Sequence, residues 1–267
     1  MSVKVSLSDM SWVEVQERLK QTDVAIVPTG SNEQHGPHLP LKTDIFIASE
    51  IAKRAAERVK DDVRAVVAPP IPFGYSPEHI AFPGTIWLDS ETLMRIVKDV
   101  CRSLLHHGFK KILFFNGHGT NPPVMYTAIN DAYMIHRDPN IFLMLVNWFD
   151  LVADVISKVA ETAFWHADEV ETSVLMALGV PIDLKLAKRE NPKPPMPNYI
   201  AYDFAKGAPS QQRISIAYPR VHDISQSGII GDPTKAKREK GEKLVDAAVE
   251  RFADLLREVK STTSWLH

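Results

Sequence analysis

Three short apolar runs, VAIV at 24–27, KILFF at 111–115 and IFLMLV at 141–146, constrain this chain more than any other feature. A strand apolar on both faces must be covered on both faces, which happens in a mostly parallel sheet between helices. What surrounds the runs agrees. Over the first two-thirds of the chain, strand-like runs alternate with loops containing Gly, Pro or His and with segments of helical spacing, the rhythm of an α/β fold. The helical segments are expected at 44–59, 90–107, 121–136 and 167–178, with a further strand at 64–68. In the first helix Ile45, Ile47, Ala48, Ile51 and Ala55 recur near a period of 3.6; in the second Leu93, Ile96, Val97, Val100, Cys101 and Leu104 do so. Cys101 therefore reads as core packing. The tryptophans and phenylalanines read as core as well, except Trp165.

After Gly179 the rhythm breaks. The stretch Arg189–Asn198 (RENPKPPMPN) holds four of the 19 prolines and reads as a stiff surface loop, and 206–232 has no clear periodicity. A long unpatterned stretch in a compact domain suggests loops around a site or a subunit contact. Asp232-Pro233 then resembles a helix start, and 234–259 reads as one amphipathic helix with Leu244, Val245, Ala248, Phe252 and Leu255 inward.

Length and charge remove several function classes. The 267 residues fit a single α/β enzyme domain spanning 1–267. With 31 Lys+Arg against 33 Asp+Glu, interspersed, there is no basic footprint for nucleic acid or an anionic membrane. No run reaches the roughly 18 apolar residues of a membrane span. One cysteine permits neither an internal disulfide nor a thiolate zinc site, so a reducing cytoplasm is the expected location. The partner expected is a small-molecule substrate.

The chemistry is concentrated in loops after the strands. Directly after the first strand comes GSNEQHGPHLPLKTD, residues 30–44, where Glu33 and His35 alternate by two and Asp44 opens the next helix. The strand at 111–115 runs into NGHGTN, which sets His118 between two glycines. HADEVETS, residues 166–173, opens a helix with a histidine and three carboxylates. In an open parallel sheet, loops at the carboxyl ends of the strands form the binding crevice. Taken singly, Asp44 reads as a helix cap, and acidic residues in a first turn as complements to the helix dipole. Taken together, Glu33, His35, Asp44, His118 and Glu171 are two imidazoles and three carboxylates without sulfur. Such a set suits one or two divalent ions, zinc, manganese or iron. Two ions bridged by a carboxylate and solvent activate water and polarise a carbonyl at once, chemistry that hydrolyses amides. No GxGxxG, P-loop, GxSxG, HExxH or CxxC competes with this reading.

These blocks, with SPEHIAFPGT at 76–85 and SGIIGDPTKAKREKG at 227–241, keep the order found in the creatininase family of metal-dependent amidohydrolases, which the sequence resembles from about residue 24 to 242. The resemblance implies a three-layer α/β/α sandwich and a homo-oligomer, often a hexamer. It implies two metal ions, zinc foremost, one held by Glu33, Asp44 and His118, the other by His35, Asp44 and a glutamate. In creatininase proper that glutamate lies two residues after the NGH histidine, where this chain has Thr120. The NGHG branch draws it from the HADEVET block instead, giving Glu171, with Glu169 as fallback. His166 matches a catalytic histidine that protonates the leaving nitrogen or orients the substrate. His79, Thr85 and Trp165 would lie near the substrate, and His38 behind the ligands. His106, His107, His136, His222 and His267 read as surface or structural. The expected reaction is attack of a metal-bridging hydroxide on an amide or cyclic amide. The alternatives are metal-assisted ring opening of a cyclic polyol ketone, a carbon-carbon hydrolysis, and a non-catalytic metal-binding oligomer.

Overall fold

Every residue of β1 (Val24–Thr29) and β3 (Lys111–Asn116) is buried, and the two-residue repeat of a strand sends alternate side chains to opposite faces. Val24, Ile26, Leu113 and Phe115 enter one core, and Ala25, Val27, Ile112 and Phe114 the other. The first core is covered by α2 (Thr43–Arg58), α7 (Glu169–Ala177) and α9 (Arg238–Ser261). The second is covered by α3 (Ser90–His107) and α4 (Asn121–His136), with α1 (Trp12–Leu19) at its margin. The computed structural model, which describes residues 3–207, 217 and 219–266, is thus a three-layer α/β/α sandwich, as expected.

β2 (Val66–Val67) and β4 (Phe142–Asn147) complete a four-stranded parallel sheet in the order β2-β1-β3-β4. From β1 the chain moves outward to β2, then returns to the opposite side of β1 as β3. β1 and β3 therefore flank the point where the strand order reverses, where open α/β sheets place their ligands. The last pair in the β1–β3 register is Thr29 with Asn116, so the loops leaving both strands start side by side.

Several boundaries differ from the sequence reading for identifiable reasons. β2 is two residues rather than 64–68 because Arg64 sits in the left-handed region (φ 59°) and cannot begin a strand. Its outer side is covered by the N-terminal segment, where Val67 N donates to Val5 O at 2.8 Å. Asp232 does cap a turn, but only the 3₁₀ turn Pro233–Lys235; the chain is extended at Ala236 and Lys237, and α9 starts at Arg238. Leu256 rather than Leu255 faces fully inward in α9. Of the tryptophans read as core, Trp148 is buried, but Trp12, Trp87 and Trp265 are exposed. α1 was not foreseen; its capping box, Ser11 with Glu14, is the start signal. Two short helices, α5 (Trp148–Leu151) and α6 (Ala153–Val159), occupy a connection that shows little periodicity. Arg189–Asn198 is a mostly exposed loop, tied down where Glu190 N donates to Gly231 O at 3.0 Å. In the unpatterned stretch, α8 (Val221–Ile224) is short, and residues 208–216 and 218, like His267, lie outside the described residues. Cys101 is buried in the core beneath α3, and burial pushes its thiol up to about 12. Among the described residues no helix is long and apolar enough to cross a membrane.

α7 and α9 cross in close contact at Gly241, where an added Cβ would fall on the Ser173 carbonyl. Gly241→Ala is expected to cost about 1–3 kcal/mol through overpacking. A lowered urea midpoint at unchanged slope would show it. An unchanged midpoint would mean that the two helices do not approach so closely.

Candidate metal centre

Gly117 decides how the site assembles. It follows β3 where the first turn of α2 packs, and a Cβ there would collide with the Asp44 carbonyl. Gly30, at the end of β1, meets the backbone of Ile45 in the same way. With glycine at both points the start of α2 can sit against the ends of both strands. Asp44 then lies between the ligands contributed by each.

The Asp44 carboxylate occupies the middle of the cluster. Oδ1 is 3.0 Å from His35 Nε2, and Oδ2 is 3.0 Å from His118 Nδ1. Glu33 Oε1 lies 3.3 Å from His118 Nδ1 on one side, and Glu171 Oε2 lies 3.8 Å from His35 Nε2 on the other. Ligand atoms of Glu33, Asp44 and His118 fall within 4.8 Å of one another, as do those of His35, Asp44 and Glu171. Two triads share one carboxylate. Both oxygens of Glu33 and Oδ2 of Asp44 are buried without a hydrogen bond. Orphaned anionic oxygens of this kind are costly unless a cation completes them, so the donor set fits divalent metal.

Protons partly fill that role in the metal-free chain. Burial opposes charge on His35, yet Asp44, Glu171 and Glu33 around it push its imidazole up to about 10. His118 is raised well above its ordinary value against the same burial, chiefly by Glu33 and Asp44. Glu33, which burial alone would raise, is held well below the usual carboxylate range by His118 and His79. Burial pushes Glu171 up to about 8.

The other expected residues divide clearly. His166 joins the cluster: its backbone pairs with Ile230 through Ile230 N to His166 O at 3.0 Å, and its Nδ1 lies 3.8 Å from Glu33 Oε1. Burial and the neighbouring charges of His35 and His79 hold it well below an ordinary histidine. The next residue, Ala167, adopts φ 51°, and Asp168 caps α7 by accepting from Val170 N at 2.8 Å and Glu171 N at 3.2 Å, while its other oxygen accepts from Trp165 N. This tight turn projects His166 and Glu171 to the same side. Glu169 points elsewhere. Its carboxylate accepts from Glu161 N, Thr162 N and Thr162 Oγ1 and pairs with Lys240, so it braces α7 on the start of α9 and does not enter the cluster. His79 Nε2 lies 3.2 Å from Glu33 Oε1 and faces the cavity. Trp165 lines the cavity, stacked on Phe204 at 4.4 Å with 3° between planes. Thr85 stands behind the first loop, accepting from Gln34 N at 3.2 Å, and does not line the cavity. His38 Nε2 lies 3.0 Å from Thr172 Oγ1, behind the ligands as expected.

A scan of known families adds the deciding observation. The model of the creatininase family, described as creatinine amidohydrolase, matches residues 8–256. The chain belongs to the creatininase family.

Among creatininase relatives, the 3-dehydro-scyllo-inosose hydrolase of Thermotoga maritima is 32% identical, aligned over 96% of this chain and 83% of its own. The creatinine amidohydrolase of Pseudomonas putida is 30% identical over 97% and 98%. A solved structure from Bacteroides fragilis, described as of the creatinine amidohydrolase type, superposes with TM-score 0.83 at 30% identity, covering 100% of both chains. Creatininase structures titled as zinc and manganese forms superpose with TM-scores of 0.80 and 0.78 at 27% identity. This creatininase-family chain is accordingly an enzyme, a hydrolase.

Two residues at the centre escaped the sequence reading. Gln34, between Glu33 and His35, places its amide nitrogen 2.8 Å from both His79 Nδ1 and His166 Nε2, and donates to Gly228 O at 3.0 Å. Glu78, preceding His79, accepts from Thr120 Oγ1 at 2.9 Å and lines the cavity. Their position inside quoted motifs was the only available signal.

The protonation pattern has a measurable consequence. The carboxylates around His35 raise its imidazole and burial raises the Glu171 carboxyl, so at pH 7 the pair holds a proton that a bound cation must displace. Zinc titrated into metal-free protein at pH 7 is expected to release protons, with apparent affinity rising with pH. Calorimetry in buffers of different ionisation enthalpy reads this, and buffer-independent heats would contradict it.

Proposed function

We propose that this chain is a two-metal hydrolase cleaving the C–N bond of an amide or cyclic amide in a small molecule. The observation that carries the reading is the sharing of Asp44 by two buried ligand triads. Glu33, Asp44 and His118 would hold one ion, and His35, Asp44 and Glu171 the other. Zinc is the first choice for both, with manganese or iron as alternatives suited to the same nitrogen and oxygen donors. When bound, such ions supply a polarised carbonyl and water of lowered pKa.

The remaining groups position the substrate and move the proton. His166, kept neutral by burial, accepts the proton that the attacking water gives up and returns it to the departing nitrogen. Gln34 holds His79 and His166 in fixed orientation through its amide. Opposite the ligands, Phe149, Phe164, Trp165, Tyr202 and Phe204 make an aromatic wall that excludes water and accommodates a flat, weakly polar portion of substrate. Thr85 supports the loop of Gln34 rather than the substrate.

Likeness to an inosose hydrolase favours a second reading, metal-assisted ring opening of a cyclic polyol ketone. The aromatic wall weighs against it, since a polyol brings hydroxyls that need partners on every side. Release of an amine or ammonia separates the two. We also propose a homo-oligomer, a hexamer by family pattern, in the cytoplasm; Ile80, Ile86 and Trp87 present exposed apolar surface for such contacts.

Elemental analysis of protein purified without chelator tests the site. About two ions per chain are expected in the wild type, nearly none in Asp44→Ala and one fewer in Glu171→Ala. Glu169→Ala is expected to keep both ions and lose stability instead. Full metal content in Asp44→Ala would sink the assignment. For a substrate that turns over, His166→Ala is expected to lower kcat by about 10²–10⁴ without removing metal; unchanged kcat would exclude His166 from proton transfer.

A further inference from the structure

His118 turns Nδ1 toward Asp44 and Glu33 and Nε2 away from them. Nε2 lies 2.6 Å from Thr120 Oγ1 and 3.1 Å from the Tyr75 carbonyl. A neutral imidazole that offers Nδ1 to a cation must carry its proton on Nε2. That proton has two acceptors here, Thr120 Oγ1 and Tyr75 O. The Thr120 hydroxyl proton in turn has Tyr75 O at 2.6 Å and Glu78 Oε1 at 2.9 Å. The count closes: two donors, Nε2–H and Oγ1–H, meet acceptors on Thr120, Tyr75 and Glu78, and neither proton is directed at the metal-facing nitrogen.

The acceptors are themselves fixed. Tyr75 N donates to Asn121 Oδ1 at 2.9 Å, and Asn121 Nδ2 donates to Gly30 O at 3.1 Å and Asn116 Oδ1 at 3.0 Å, so Tyr75 is anchored to the ends of both β1 and β3. Glu78 belongs to the 3₁₀ turn Pro77–His79, whose His79 lies 3.2 Å from Glu33. One turn therefore reaches the Glu33–Asp44–His118 triad twice, directly through His79 and by way of a hydroxyl through Glu78.

We infer that Glu78, acting through the Thr120 hydroxyl, is a positioning residue that fixes His118 in the Nε2–H tautomer and so aims the Nδ1 lone pair at the metal. The Glu78 carboxylate reaches this imidazole from a turn 42 residues before Thr120, and the threonine hydroxyl is the link between them. Partners that orient a metal-bound histidine in this way are worth about 10–100-fold in metal affinity. The inference rests on the metal-centre reading of the site.

The test begins with the wild type. Long-range ¹H–¹⁵N spectra of the zinc-loaded full chain are expected to show His118 protonated at Nε2 and metal-bound at Nδ1; the opposite arrangement overturns the inference without any variant. Zinc affinity is then measured by chelator competition for Thr120→Val, Thr120→Ser and Glu78→Leu. The valine and leucine variants are expected to weaken one of two zinc sites by about 10–100-fold, while serine restores wild-type binding and the metal-free proteins unfold at similar temperatures. Wild-type affinity in both Thr120→Val and Glu78→Leu overturns the positioning role alone. Failure of the wild type to bind any metal overturns the metal-centre reading, and this inference with it.

Discussion

A carboxylate in an apolar interior is tolerated only when opposite charge meets it on the sides from which water has been removed. Asp44 satisfies that condition from two directions, through His35 on one oxygen and His118 on the other. The imidazoles come from the loops that follow two different strands, and the carboxylate comes from the helix that packs across both. The end of the sheet, the start of α2 and the two glycines that let them touch are therefore one device. Displacing any part would leave anionic oxygens buried without compensation.

The fold was legible because the apolar runs left few options. VAIV and KILFF can be covered on both faces only inside a layered sheet, and the structure divides their residues between two cores as a two-residue period demands. Much of the candidate site was legible as well, since Glu33, His35, Asp44, His118, Glu171 and His166 do converge. Glu169 and Glu171 were harder to separate. Two residues apart at a helix start, they point in different directions, and only the packing of Lys240 and the 161–162 backbone shows that Glu169 is already engaged. Gln34 and Glu78 were invisible for a similar reason: an amide or a carboxylate in a loop acquires meaning only from what lies across the cavity. The start of α9 was misread because Asp-Pro caps a 3₁₀ turn as well as it caps a helix.

The two sides of the cavity come from different parts of the chain. Charged groups arrive mainly with the sheet and its first loops, where backbone geometry is tightly determined. The aromatic wall comes from residues 149–204, from the short helix α5 and the irregular segments between β4 and α9. Rigid loops suit ligands that must converge within a few ångströms. Loops on a rigid scaffold can vary more freely than the elements they join, although this stretch also carries His166 and Glu171.

The position of α7 adds a temporal consequence. Glu171 and His166 are held by a helix that packs against α9, the last helix of the chain, with Lys240 of α9 braced on Glu169 and Lys237 N donating to Ser173 Oγ at 3.0 Å. The strands and α2 can come together while the ribosome is still translating, and they bring Glu33, His35, Asp44 and His118 with them. Glu171 and His166 gain their final support only after residue 238 has emerged. A nascent chain would thus present the cluster without Glu171 and His166 in place, so the cluster would be completed late in folding rather than nucleate it.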